Sequence, residues 1–397
     1  MPPLSAPPAS PTARRAIVEL VASQIREVAN AGMGDPAILP FWFGEPDEVT
    51  PPFIRDAATA ALARGETFYT ENLGIPELRE TIAGYVSRLH RPTPPGEIAV
   101  TASGMSALML CVEALVGPGD RVVVVTPLWP NLPEIPKILG ADVVRVPLAF
   151  GPAGWTLDAD RLLAALTPGT RALMINSPNN PTGWTLDAAT QGVILAHCRR
   201  HGIWIIADDV YERLWYGHSG GGVACAPSFL DLAADGDRLV STNSFSKSWL
   251  MTGWRLGWIV APPALIPELG KLIEYNTSCS PSFVQRAGVA AIRAGEPTIA
   301  RTLTRYRAAR DFLVRELNAI PGVEAASPAG AMYLFFRIER MTDSLAFCKR
   351  LVSEGKLGLA PGSAFGPEGD GFVRWCFAAG EDRLADGVGR LRRFLGA

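Results

Sequence analysis

Between residues 97 and 260, short runs of β-branched and aliphatic residues alternate with longer stretches whose apolar positions return every three to four residues. That rhythm predicts strands and helices in turn, and hence a mostly parallel sheet with helices on both faces. Strands are expected at Ile98–Thr101, Val122–Val125, Val143–Val146, Ala172–Ile175, Ile203–Ala207, Leu239–Thr242 and Gly257–Val260. Their near-continuous apolar character implies burial on both faces. After Pro281 the period changes to helices over Phe283–Arg293 and Thr298–Asn318, a strand over Met332–Ile338, a helix over Ser344–Ser353 and a strand over Gly371–Ala378. This reads as a smaller α+β unit. Upstream, Ile17–Asn30 has the spacing of one amphipathic helix, preceded by a flexible Pro/Ala/Ser arm.

Composition narrows what such a chain can do. At 397 residues it exceeds what one core supports, so two domains are expected. The net charge of −2 gives no basic surplus to hold nucleic acid or an anionic membrane. There is no apolar run of spanning length, and the start MPPLSAPPASPTARR lacks the features of a signal peptide. Six dispersed cysteines without a CxxC pair fit a reducing cytoplasm. Small soluble ligands are the expected partners.

In open α/β sheets, ligands gather where strands end and helices begin, and six such places carry chemistry. After Ile98–Thr101, the small residues of Ser103-Gly104-Met105 open a helix whose amide N–H groups suit a phosphate, although Ser103 equally suits an ordinary N-cap. Trp129 follows the next strand, where its indole suits stacking on a flat ring or core packing. The segment Asn176–Gly183 is a turn by composition, and it presents the donor and acceptor amide of Asn180 at a strand end. The buried strand Ile203–Ala207 runs into Asp208-Asp209-Val210-Tyr211. A carboxylate there needs a cation or a donor, or else serves as an N-cap.

The densest stretch is Ser244–Arg255. Ser244, Ser246 and Arg255 suit a phosphate, which a guanidinium binds with two parallel hydrogen bonds. Lys247, partly desolvated and close to another cation, has its neutral amine favoured, as imine formation requires. Last, Arg374 lies inside the apolar run Phe372–Ala378 and needs an anion, either a substrate carboxylate or a structural acid.

Taken in order, from Gly44-Glu45-Pro46-Asp47 to Arg374, these pieces resemble the fold type I aminotransferases of the aspartate-aminotransferase-like class I/II family. The offset of eight between Lys247 and Arg255 (255 − 247 = 8) belongs to that likeness. The resemblance implies an α/β pyridoxal-phosphate transferase fold, with a mostly parallel seven-stranded sheet in a large domain and a smaller α+β domain. Residues 1–45 would be an arm and part of the small domain, 46–284 the large cofactor-binding domain and 285–397 the small domain.

It also implies the cofactor pyridoxal 5′-phosphate and a ping-pong exchange between an amino acid and a 2-oxo acid. By resemblance, Lys247 is the Schiff-base lysine and proton shuttle, and Asp208 keeps the pyridine nitrogen protonated. Tyr211 and Asn180 bond the ring's phenolic oxygen, and Trp129 stacks on the ring. Arg255, Ser244, Ser246 and the Ser103–Met105 backbone hold the phosphate. Arg374 clamps the substrate α-carboxylate beside Gly44 and Asn180. Tyr69 would reach the phosphate of a neighbouring subunit, which implies a homodimer with shared active sites.

Met105 departs from the pattern, since close aspartate and prephenate enzymes of the family often carry a lysine there. This argues against acidic substrates unless another arginine substitutes. Trp42, Phe43 and Tyr333 hint at a neutral or aromatic side chain. His197 and His201 have metal-ligand spacing, but Arg199 and Arg200 lie beside them and no HExxH pattern is completed, so no metal is expected. A β-lyase or synthase of the same fold stays open, as does a non-catalytic relative.

Overall fold

The computed structural model describes residues 13–217 and 223–396; the first twelve residues of the expected arm lie outside this range. Seven strands form the principal sheet: β1 (Ile98–Thr101), β2 (Arg121–Thr126), β3 (Asp142–Pro147), β4 (Thr170–Asn176), β5 (Trp204–Asp208), β6 (Leu239–Ser244) and β7 (Gly257–Val260). Their order is β1-β7-β6-β5-β4-β2-β3. Six run one way, and β7 lies antiparallel between β1 and β6. All seven predicted strands are present, four of them longer by two or three residues. Ile203 drops out of β5, because its N–H closes the preceding helix on the Cys198 carbonyl at 3.0 Å.

The reversed strand is what aims the site. The carboxyl ends of β1, β2, β4, β5 and β6 all reach one edge of the sheet. Because β7 runs the other way, it starts at that edge, with Gly257 paired to both Ser244 and Thr101. The residue two before Gly257, Arg255, is thereby delivered to the same edge. No side chain fits at Gly257: a Cβ there would lie 2.6 Å from the Gly104 backbone nitrogen and 2.7 Å from the Asn243 carbonyl oxygen.

A second sheet is fully antiparallel. It has the order β8-β9-β11-β10, formed by β8 (Val323–Glu324), β9 (Tyr333–Ile338), β10 (Ala360–Pro361) and β11 (Phe372–Cys376). Its apolar core takes residues from 25–42 and 303–391, together with Tyr211, Leu214 and Tyr216, so the chain's beginning packs with its end. Two further cores fill the two faces of the principal sheet.

The single helix expected over Ile17–Asn30 is instead two, α1 (Arg15–Val18) and α2 (Gln24–Asn30). The first buries nothing, and Val18 and Val21 are exposed, so no packing rewards continuity. Ser23 restarts the helix, its hydroxyl accepting from the Arg26 N–H at 3.2 Å. Among the described residues no helix is long and apolar enough to cross a membrane.

Candidate active site

A cavity of about 510 Å³ opens at the shared edge, between the principal sheet and β9 and β11 of the second. Gly44, Gly104, Met105, Trp129, Asn180, Asp208, Tyr211, Ser244, Ser246, Lys247, Arg255 and Arg374 all line it. Twelve of the fourteen residues singled out in the sequence therefore meet in one place. Ser103 sits just behind, its hydroxyl capping α3 (Gly104–Leu115) by accepting from the Ser106 N–H at 2.9 Å. Tyr69 lies outside and is 88% exposed. Of the aromatic residues expected near the substrate, Phe43 and Tyr333 line the cavity, whereas Trp42 is buried in the second sheet's core.

Lys247 belongs to a single helical turn, Phe245–Ser248, that follows β6 directly. Its Nζ donates to the Gly44 carbonyl at 2.5 Å and lies 5.9 Å from the centre of the Tyr211 ring. Burial pushes its amine down to about 8, and the Arg374 and Arg255 charges act in the same direction. A neutral, nucleophilic amine is thus within reach near neutral pH.

Asp208 ends β5, where the register sets it beside Asn176 and Thr242. Among the described residues its carboxylate accepts only from the Val210 N–H, at 3.4 Å. Burial raises it to about 7, Asp209 adds to the rise, and Lys247 opposes it. A buried acid so weakly satisfied calls for a cationic donor in the cavity.

The same logic applies to Arg374, which is 2% exposed on β11. Its guanidinium donates to the Asn180 side-chain oxygen at 3.0 Å and to the Trp42 carbonyl, while Nε has no partner. It is layered between the rings of Tyr333 at 4.5 Å and Phe365 at 4.9 Å. This cation is positioned and shielded but bonded only to neutral groups, which suits an incoming carboxylate.

Tyr211 shares a 2.8 Å hydroxyl–hydroxyl hydrogen bond with Tyr333, and burial raises its phenol well above the ordinary range. Gly44 is required beside this pair, since a Cβ would come within 1.9 Å of the Tyr333 oxygen. At the other end, the hydroxyls of Ser244 and Ser246 bond each other at 2.9 Å. Arg255 adopts φ 54°, donates to the Thr252 carbonyl at 2.7 Å and has no acidic partner among the described residues. Together with the start of α3, these groups form an anion cradle.

Sequence reasoning missed several lining residues. Arg26 stacks over Phe43 at 4.6 Å, and Glu45, Asn131, Asn176 and Thr252 complete the wall. Arg26 carries no local motif and is exposed on α2, so nothing in the sequence marks it. Asn131 could have been found, being two residues beyond Trp129 at the start of a helix.

Asp208 also makes a test of this electrostatic account. A carboxyl whose folded pKa is raised binds its proton more tightly in the native chain than in the unfolded one. Protein stripped of cofactor should therefore lose stability as pH rises from about 4 through about 7. The loss is on the order of a few kcal/mol shared by Asp208 and Asp209, or several degrees in Tm. Asp208→Asn should flatten the slope of Tm against pH by roughly half, and a slope equal to the parent's would place the titration elsewhere.

The chain is similar to known proteins over nearly its whole length. A family model described as aminotransferase class I and II matches residues 38–388. The chain is 33% identical to the aspartate aminotransferase of Pyrococcus horikoshii, over 94% of each chain. It is also 33% identical to the arginine–pyruvate transaminase of Pseudomonas aeruginosa, over 92% of each. The solved aspartate aminotransferase of Thermotoga maritima superposes with a TM-score of 0.87 and 32% identity, covering 97% of this chain and 100% of that one.

Proposed function

The chain belongs to the class I and II aminotransferases, and from that premise we propose that it moves an amino group from an amino acid to a 2-oxo acid in two half-reactions centred on Lys247. The family is pyridoxal-phosphate dependent. The residues fit that group: Asp208 is a buried acid wanting a cation, the Arg255 cradle is an anion site, and Lys247 is an amine of lowered pKa. When bound, the cofactor supplies an aldehyde for the amino group and a ring that draws electrons from the substrate Cα.

The chain's own residues do the rest. Arg255, Ser244, Ser246 and the N–H groups at the start of α3 hold the phosphate. Asp208 keeps a proton on the ring nitrogen, Tyr211 and Asn180 bond the phenolic oxygen, and Trp129 covers the ring. Lys247 is the anchor and then the base that takes the Cα proton and returns it. Arg374, oriented by Asn180 and Trp42, fixes the substrate α-carboxylate so that the Cα–H points at Lys247.

The observation that carries this reading is the convergence of a lone low-pKa amine, a buried acid and a buried free arginine on one cavity. Mixing the loaded protein with an amino acid and no 2-oxo acid tests it. One equivalent of 2-oxo acid should appear, with the visible band replaced by that of the aminated cofactor. Continued release of pyruvate and ammonia with an unchanged band would favour a β-lyase instead.

We assign residues 46–284 to a large cofactor-binding domain, and 285–397 with part of 1–45 to a small one; the separate apolar cores support two units, although Ala287, Ile292 and Ile299 pack in the principal sheet's core and Tyr211, Leu214 and Tyr216 in the second sheet's. A cytoplasmic setting is supported by the six free cysteines. A homodimer is supported by the exposed Phe68, Tyr69 and Tyr275. The first two precede Thr70, whose N–H meets Cys279 at 3.4 Å, and Cys279 lines a groove with Arg255. Sedimentation should give twice the chain mass. Tyr69→Phe should leave that mass unchanged while weakening cofactor retention by roughly 10- to 100-fold, the worth of one hydrogen bond to a charged group. Unchanged retention would remove Tyr69 from the site. The apolar lining by Ile25, Phe43, Met105 and Leu108 supports neutral or aromatic substrates, and a matrix of donors against pyruvate, 2-oxoglutarate and oxaloacetate decides it.

A further inference from the structure

We propose that His90, Glu212 and Cys225 form a binding site for a divalent transition-metal ion of the zinc type, with Glu212 on the turn that also carries Tyr211. Three donors from distant parts of the chain meet there. His90 is the C-cap of the helix Pro76–Leu89, Glu212 follows Tyr211, and Cys225 lies on the segment leading to the 3₁₀ turn Phe229–Asp231. All three ligand atoms lie within 4.8 Å of one another.

The spacing is that of a coordination shell. The His90 Nε2 is 3.1 Å from a Glu212 carboxylate oxygen and 3.8 Å from the Cys225 sulfur. Tetrahedral zinc, with bonds of about 2.0–2.1 Å to nitrogen or oxygen and about 2.3 Å to sulfur, sets these pairs roughly 3.3 and 3.5 Å apart. The two pairs to His90 each need a shift of only a few tenths of an ångström, Glu212 and Cys225 lie within 4.8 Å of each other, and water supplies the fourth ligand.

The donors are also held in place by an outer layer, as metal sites require. Asp231 accepts at the other ring nitrogen of His90, at 2.7 Å, and its second oxygen accepts the Ser228 N–H at 2.9 Å. That fixes the ring and frees Nε2 for a metal. The backbone on either side of Cys225 is pinned to the neighbourhood of Glu212. Arg213 donates from Nε to the Ala224 carbonyl at 2.8 Å, and the Ala226 N–H donates to the Glu212 carbonyl at 2.8 Å.

Charge favours a dication. Asp209, Glu212 and Asp231 face the cluster, and the nearby Arg213 guanidinium is already paired with Glu296 and bonded to the Tyr85 hydroxyl at 3.2 Å. The His90 and Glu212 side chains are almost wholly buried, while Cys225 is partly exposed and gives the ion a way in. Binding replaces the Nε2 proton of His90 and the thiol proton of Cys225, and both leave to solvent.

Titrating the chelator-washed, cofactor-loaded protein with Co²⁺ tests this. Ligand-field absorption in the red, where the cofactor is transparent, should saturate at one ion per chain, and Zn²⁺ should displace it. Cys225→Ser and His90→Gln should each weaken binding at least about 10-fold. Zn²⁺ should raise the Tm of the parent and not of Cys225→Ser. His197→Gln, which alters the His197–His201 pair elsewhere in the chain, should change nothing. If His90→Gln fails to fold, Cys225→Ser, a one-atom change at a partly exposed position, still decides. Absent stoichiometric uptake, or uptake identical in Cys225→Ser, overturns the proposal and leaves His90 as a proton-bridged strut between Asp231 and Glu212.

Discussion

Lys247→Ala is expected to lower multiple-turnover activity by about 10⁴-fold or more, the upper range for removing a positioned acid–base group and here compounded by loss of the anchor. No other lysine lines the cavity, so nothing can take over either role. The neighbouring cations, Arg255 and Arg374, stay protonated and cannot act as bases. Two readouts separate this from a folding defect. Borohydride treatment of the loaded parent should leave a reduced adduct that peptide mapping places on Lys247, and the variant should give none. A small primary amine added to the variant should restore part of the lost rate, because the surrounding cavity survives. Normal multiple turnover in Lys247→Ala, or an adduct on another residue, would end the assignment.

The strands of the principal sheet were legible because continuous β-branched runs have few alternatives once both faces are buried, and the residues that follow them could be read as an edge. What periodicity could not give was strand direction. The arrival of Arg255 at that edge depends on β7 running against its neighbours, a fact of pairing rather than of local pattern. The expected helix over Ile17–Asn30 failed for a related reason. Its spacing is amphipathic throughout, yet only α2 finds a core to pack on, and a serine in the middle can cap a new start.

Side-chain roles followed the same division. Lys247, Asp208 and Arg374 declared themselves because a charged group inside an apolar run requires a partner. Ser103 was read two ways, and the capping reading describes its hydroxyl. Trp42, grouped with Phe43 by adjacency, is buried in the second sheet's core, whereas Phe43 packs against that core and also lines the cavity. Arg26 and the trio of His90, Glu212 and Cys225 were invisible, since each is ordinary in its own stretch and only the fold brings them to their neighbours.

Arg374→Ala should lower kcat/KM for amino acids by roughly 30- to 4000-fold, the equivalent of about 2–5 kcal/mol for truncating one side of a buried, hydrogen-bonded charge pair. The guanidinium sits between two aromatic rings with Nε unpartnered, which leaves a buried donor for a substrate carboxylate. Most of the loss should appear in KM, with kcat falling further to the extent that the Cα–H is no longer aimed at Lys247. The cofactor should still bind, because the phosphate contacts lie on the principal sheet, away from Arg374. The decisive comparison is between an amino acid and the amine of the same side chain lacking the carboxylate. The parent should prefer the amino acid strongly, and the variant should treat the two nearly alike. If the variant keeps the parent's discrimination, Arg374 is a structural cation and the carboxylate is held elsewhere, with Arg26 the next group to test.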